Sequence, residues 1–185
     1  MELVERWCVD FYDLVGGESP VIGVEGFGDL HERAAANGAR HGTPVLVCSS
    51  GRVDPRVNLF FRTGEIAGRA ASTWRRYAYA LAVWLEFLAV FGKEWHEATA
   101  GDMEAFKHWR LTDPANGDRV APSSFDTDRA ALNSFYRWAS GRYGVANPVP
   151  SVSGGVQRQL RRSGWSEGSG EAGIRSARRV RDAAR

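Results

Sequence analysis

The stretch "TWRRYAYALAVWLEFL", residues 73–88, decides the fold. At 100° per residue, Trp74, Tyr77, Leu81, Trp84, Leu85 and Leu88 fall on one stripe, the i, i+3, i+4, i+7 spacing of a helix with a buried face. Arg75 and Tyr79 lie one turn apart on the opposite face, and Arg76 lies on the flank. The pattern predicts a helix from Thr73 to Phe91, with Ser72 as N-cap and Gly92 as its stop.

Two more helices follow. Thr99 and Asp102 form a capping box, with Asp in place of the usual Glu, at the head of a helix over 100–111. Pro114 and the cluster "DPANGD" end it. Pro122 precedes a third helix over 124–143. Gly144 stops it, and "NPVP" at 147–150 forbids continuation. The second helix offers Met103, Phe106 and Trp109 to a core. The third offers Phe125, Leu132, Phe135, Tyr136, Ala139 and Tyr143. Three aromatic-rich stripes joined by short connections make a compact, mainly α bundle. Its outer faces carry Arg75 and Arg76, then Lys107 and Arg110, then the i, i+4, i+8 line Arg129, Asn133 and Arg137. Two readings compete for them. They are a solvated face, or they contact phosphates and base edges, since Arg suits guanine and Asn suits adenine in the major groove.

Residues 1–71 read as a short mixed region. "FGDLHERAAANG" predicts a brief helix with Asp29 as N-cap and Gly38 as a left-handed stop. "TPVLVCSSGR" predicts a strand and a turn at Ser49–Gly51. Asp54 and Pro55 open another short helix. The first 15 residues fit helix or strand, and "GEIAGRAA" at 64–71 reads as a linker, leaving the N-terminal region loosely attached. Residues 151–185, with six Gly, no Pro and no apolar period, read as a disordered tail whose end, "IRSARRVRDAAR", could become a basic helix on a partner. The expected organisation is therefore 1–71, 72–150 and 151–185. Net charge is +2, divided as −3, 0 and +5 over those segments. Overall charge thus does not announce a nucleic-acid binder; local arrangement must carry such a role.

Several chemistries find no support. Cys8 and Cys48 make no disulfide framework and no zinc spacing. His31, His41, His96 and His108 form no i, i+4 ligand pair, so no metal is expected. "GVEGFG" at 23–28 lacks the Lys and Ser/Thr of a phosphate loop. Glu94 and Glu97 form no cleft pair. No run of 18 apolar residues occurs, and "MELVERWCVD" is not a signal peptide. The expectation is a cytoplasmic protein with no membrane contact, cofactor or small-molecule substrate.

"STWRRYAYALAVWLEFL", "EATAGDMEAFKHWR" and "DRAALNSFYRWASGRYGVANPV" together resemble the core-binding domain of tyrosine recombinases, the phage-integrase family. "GTPVLVCSSGRVDPRVNLFFR" is similar to the N-terminal region of actinobacterial-type integrases, so the resemblance covers about residues 43–150. It implies a SAM-domain-like helical bundle that packs on one side of a recombination site, opposite a catalytic domain. The implied partner is double-stranded DNA in the bacterial nucleoid, together with a full-length recombinase. The implied contacts are Thr73, Arg75 and Arg76 on the first helix, with only the hydroxyl of Tyr77 able to reach out. Arg129, Asn133 and Arg137 on the third complete the implied set, and Lys107, on the outer face of the second helix, joins the expected DNA contacts. The family's catalytic domain, with its Arg, Lys and His ligands and Tyr nucleophile, should follow "NP". No tyrosine follows Tyr143 and no His-x-x-Arg occurs. The resemblance therefore implies a truncated or frameshifted recombinase that does not cleave DNA. A helical protein-interaction module is the alternative.

Overall fold

A computed structural model describes residues 6–14 and 35–150. The tail and the start of the helix expected at Asp29 lie outside these residues. Gly38 does adopt the left-handed backbone expected of a helix stop, with φ of 79°.

Two strands, β1 (Trp7–Phe11) and β2 (Pro44–Cys48), form an antiparallel ribbon in which Trp7 faces Cys48 and Phe11 faces Pro44. Helix α1 (Pro55–Thr63) begins as its sequence dictates. The Asp54 carboxylate accepts from the Arg56 N–H at 2.8 Å, and Pro55 supplies the fixed φ of the first turn. Asn58 then ties α1 to the ribbon. Its buried carboxamide accepts from the Leu46 N–H at 2.8 Å and donates to the Leu46 carbonyl at 3.1 Å, doing for the free edge of β2 what a third strand would do.

Residues 64–71 are not a linker. Glu65–Gly68 form a 3₁₀ turn whose Ile66 is buried, and the Trp74 indole N–H donates to the Ile66 carbonyl at 2.6 Å. Nor is the N-terminal segment loosely held, because Leu46, Val57, Phe60 and Phe61 share one buried cluster with the helices that follow. This anchoring also moves the start of the next helix. Helix α2 runs Ala71–Val90, two residues earlier than Ser72 would have it. Ala70 is the cap and makes no side-chain bond, so packing against the turn sets the boundary in place of capping chemistry.

Helix α2 is the hub. Leu81, Trp84, Leu85 and Leu88 are buried as expected, but so are Ala78, Ala80, Ala82 and Phe87. The ribbon packs on α2, and the Trp7 N–H donates to Glu86 at 2.9 Å. Tyr77, placed in the core stripe by periodicity, is only half-buried. A second 3₁₀ turn (Trp95–Glu97) leads to α3 (Ala100–Leu111), where the Thr99–Asp102 capping box is fully formed. Burial pushes the Asp102 carboxyl upward. Hydrogen bonds from Lys93 and Thr99 outweigh it and hold the group below the usual carboxylate range. Helix α4 (Pro122–Tyr143) has Pro in its first turn and ends on Gly144 at φ 70°.

Helices α2 and α4 run in the same sense. Thr73 shares a groove with Asp126 near their starts, and the Trp84 indole donates to the Tyr136 hydroxyl at 2.8 Å further along. That hydroxyl in turn donates to the Trp95 carbonyl at 2.8 Å, so every polar atom of this buried pair of rings is used.

Candidate nucleic-acid interface

The first halves of α2 and α4 leave an open groove of about 430 Å³ between them. Thr73, Arg76 and Tyr77 line it from α2; Asp126, Thr127 and Ala130 line it from α4. A neighbouring groove of about 410 Å³ is flanked by Arg75, Arg76 and Tyr79 of α2 and by Arg110 and Asp128. Arg76 therefore stands on the ridge between two depressions. It is exposed and makes no ion pair among the described residues.

The other expected contact residues have different situations. Arg75 is exposed but turned toward the ribbon, its guanidinium 4.9 Å from the centre of the Phe11 ring. Thr73 is half-buried in the first turn of α2. Lys107 faces Glu104 at 3.7 Å on the exposed side of α3, away from the residues that line either groove. Arg129 lies 3.8 Å from Asp126. Asn133 is half-buried and its carboxamide oxygen accepts from Asn147 at 2.9 Å. That bond occupies one of the two lone pairs of the oxygen and fixes the orientation of the carboxamide. Arg137, one turn further, is exposed without a carboxylate partner among the described residues.

Electrostatics therefore rank these residues. Exposed i, i+3 pairs such as Lys107–Glu104 and Arg129–Asp126 gain little in water, but each places a carboxylate where a phosphate would have to approach. Arg76 and Arg137 carry uncompensated charge and are free to meet an anion. The Thr73 hydroxyl adds a neutral donor suited to phosphate oxygens, whereas that of Thr127 donates to the Ser123 carbonyl at 3.2 Å. Sequence spacing grouped Arg129, Asn133 and Arg137 as equals. The Asp126 carboxylate, three residues before Arg129, was within reach of that spacing; the Asn147 amide on Asn133 was not. The "NP" at 147–148 was legible as a helix terminator and as the end of the integrase pattern, not as a partner for Asn133.

Among the described residues, no cluster of His, Cys, Asp and Glu is arranged to hold a metal ion, and no helix is long and apolar enough to cross a membrane. No curated protein and no solved structure matches the chain. Residues 57–142 match the family described as phage integrase, N-terminal SAM-like domain, a match that begins within α1 and ends one residue before the end of α4. The matched segment holds most of the helical bundle and none of the ribbon, and it is similar to the phage integrase N-terminal SAM-like domain.

Proposed function

We propose that this chain is the DNA-binding module of a site-specific tyrosine recombinase, acting in the bacterial nucleoid beside a complete recombinase. The observation that carries the reading is the pair of uncompensated arginines, Arg76 and Arg137, exposed on α2 and α4 of an integrase-family domain. The module binds duplex DNA chiefly through its phosphates. An isolated module of this kind binds weakly, in the ~10⁻⁴–10⁻⁶ M range of non-specific contacts.

Each phosphate contact adds about 0.9 to the slope of log affinity against log salt. Arg76→Ala and Arg137→Ala are each expected to weaken binding and flatten the slope by about one unit in a fluorescence titration over several salt concentrations. Asn133→Ala should leave the slope nearly unchanged. The net charge of +5 in residues 151–185 can bind a polyanion by itself, so the full chain is compared with residues 1–150. Binding lost entirely with the tail, and indifferent to Arg76 and Arg137, would reduce these arginines to a solvated face.

The second reading, a protein-interaction module, draws on Val90 and Phe91, which are 61% and 59% exposed at the end of α2, and on the zero net charge of residues 72–150. The DNA reading rests instead on Arg76 and Arg137, exposed and unpaired among the described residues.

These 185 residues bind without cleaving. Tyr136 is fully buried, Tyr12, Tyr77 and Tyr143 are half-buried, and exposed Tyr79 shares its groove with Arg75 and Arg76 but with no His or Lys. A suicide substrate that traps a covalent 3′-phosphotyrosine is expected to give no adduct. An adduct at any of the five tyrosines, found by mass spectrometry, would contradict this.

A further inference from the structure

Three arginines far apart in sequence meet at the end of the ribbon where β1 leaves and β2 enters. Arg40 lies 4.9 Å from the centre of the Trp74 ring, Arg62 lies 5.8 Å from that of Tyr12, and Arg75 lies 4.9 Å from that of Phe11. The rings are linked through the backbone. Phe11 and Tyr12 are consecutive, as are Trp74 and Arg75. The Tyr12 N–H donates to the Thr43 carbonyl at 2.9 Å, and the Gly42 N–H donates to the Tyr12 carbonyl at 2.7 Å. Arg40 is fixed by its own N–H donating to the Thr43 hydroxyl at 2.8 Å.

None of the three has a carboxylate partner among the described residues. Arg56, Lys93, Lys107, Arg110 and Arg129 all do. Two acids of the same strand end do not pair with these arginines: Asp10 accepts from the Phe11 N–H at 2.8 Å, and Asp13 faces His41 at 3.3 Å. The Nε of Arg62 is buried with no hydrogen-bond partner, so part of its charge is desolvated and uncompensated. Stacking covers one face of a guanidinium, leaves in-plane N–H donors available and restricts its rotamers before any ligand arrives.

We infer that this ribbon end is a second phosphate-binding surface, with Arg40, Arg62 and Arg75 contacting the backbone of duplex DNA beyond the stretch covered by α2 and α4. The inference rests on the DNA-binding reading above and extends its footprint. Arg75 joins the two surfaces, since it flanks one groove together with Arg76. The large apolar side chains exposed on the described residues, Val53, Tyr79, Val90 and Phe91, are not on the ribbon strands. The ribbon end therefore lacks the apolar centre of a protein interface and offers the charge row that suits a polyanion.

The test uses the full chain and a fluorescein-labelled duplex, titrated at several salt concentrations. Arg40→Gln and Arg62→Gln are each expected to flatten the salt slope by about 0.9, and the two together by about twice that, while Arg40→Lys keeps it. Phosphate-ethylation interference on the unmodified protein is expected to show contacts in two clusters, which frees the test from any variant that folds poorly. If Arg76→Ala and Arg137→Ala flatten the slope but the Gln variants do not, and the interference shows one cluster, the ribbon is not on DNA although the module is. If no arginine of the domain alters the slope, the DNA-binding reading and this inference fall together. Arg40-dependent binding of polyglutamate with no such effect on duplex would identify an acidic protein partner and overturn the inference.

Discussion

Phe135→Ala is expected to destabilise the protein by about 3–5 kcal/mol, measured by urea denaturation followed by circular dichroism. Phe135 is completely buried. Its ring centre lies 5.5 Å from that of Phe60 on α1, 5.3 Å from Trp95 on the second 3₁₀ turn, and 5.1 Å from Tyr136 beside it on α4. Three elements thus converge on one ring, and each is fixed by bonds elsewhere. Asp54 caps α1 and also accepts from the Trp95 indole at 2.8 Å, while the Trp95 carbonyl accepts from Tyr136. The walls of the resulting cavity cannot collapse inward without breaking these bonds, which places the cost in the upper part of the range for large-to-small changes. A loss under about 0.5 kcal/mol, the value typical of surface sites, would mean that α4 presents a different face to the core.

The same ring shows what the sequence could reveal. Phe135, Tyr136 and Leu132 were identified by helical spacing alone, and α3 and α4 were bounded by Thr99, Asp102, Pro122 and Gly144. Such signals are local: a cap or a proline acts on backbone within one turn of itself. The start of α2 was misread because its determinant, the Trp74 bond to Ile66, joins a helix to a turn that the sequence presented as Gly- and Ala-rich connection. The second buried side of α2 was invisible for a related reason. Ala78, Ala80 and Ala82 have small side chains that allow neighbours to approach closely and weigh little in a hydropathy pattern, while Phe87 lies outside the stripe that the spacing picked out. The five-residue β1 was undecidable by period, since its partner lies more than 30 residues away.

The candidate interface was legible to the same extent. Spacing placed Arg76 and Arg137 on outer helix faces, and the structure keeps both exposed. The i, i+3 spacing of Asp126 and Arg129 was available to set Arg129 apart, but nothing local could foresee that Phe11 would lie beneath Arg75. Arg40 and Arg62 had no linear signal, as their aromatic partners lie 34 and 50 residues away in sequence.

Asp128→Ala is expected to cost about 3–5 kcal/mol, close to the core substitution although it removes no apolar group. Arg110 is a side chain of the expected outer face that turned inward. Its side chain is 11% exposed and that of Asp128 is 14% exposed. Its Nε and Nη2 donate to Asp128 at 3.2 and 2.9 Å, and its Nη1 donates to the Asp118 carbonyl at 2.8 Å. One guanidinium therefore joins the end of α3, the loop before α4 and the first turns of α4. The Arg110 carbonyl accepts from the Val120 N–H at 2.9 Å, which closes the same loop from the backbone side. Removing the carboxylate leaves a cation with little water and only one remaining partner, and that desolvated charge is the origin of the cost. Glu104→Ala is the control. It breaks an ion pair whose side chains are 52% and 63% exposed, and should change stability by less than about 1 kcal/mol. Arg110→Met combined with Asp128→Leu should recover most of the loss, because it removes both charges together. Equal small effects for Asp128→Ala and Glu104→Ala would show that water reaches Arg110. Because Arg110 and Asp128 also flank the groove beside Arg76, a destabilised Asp128→Ala chain should bind DNA no more weakly than the unmodified chain well below its melting temperature, separating the carboxylate's role in holding α4 in place from any loss of phosphate contact.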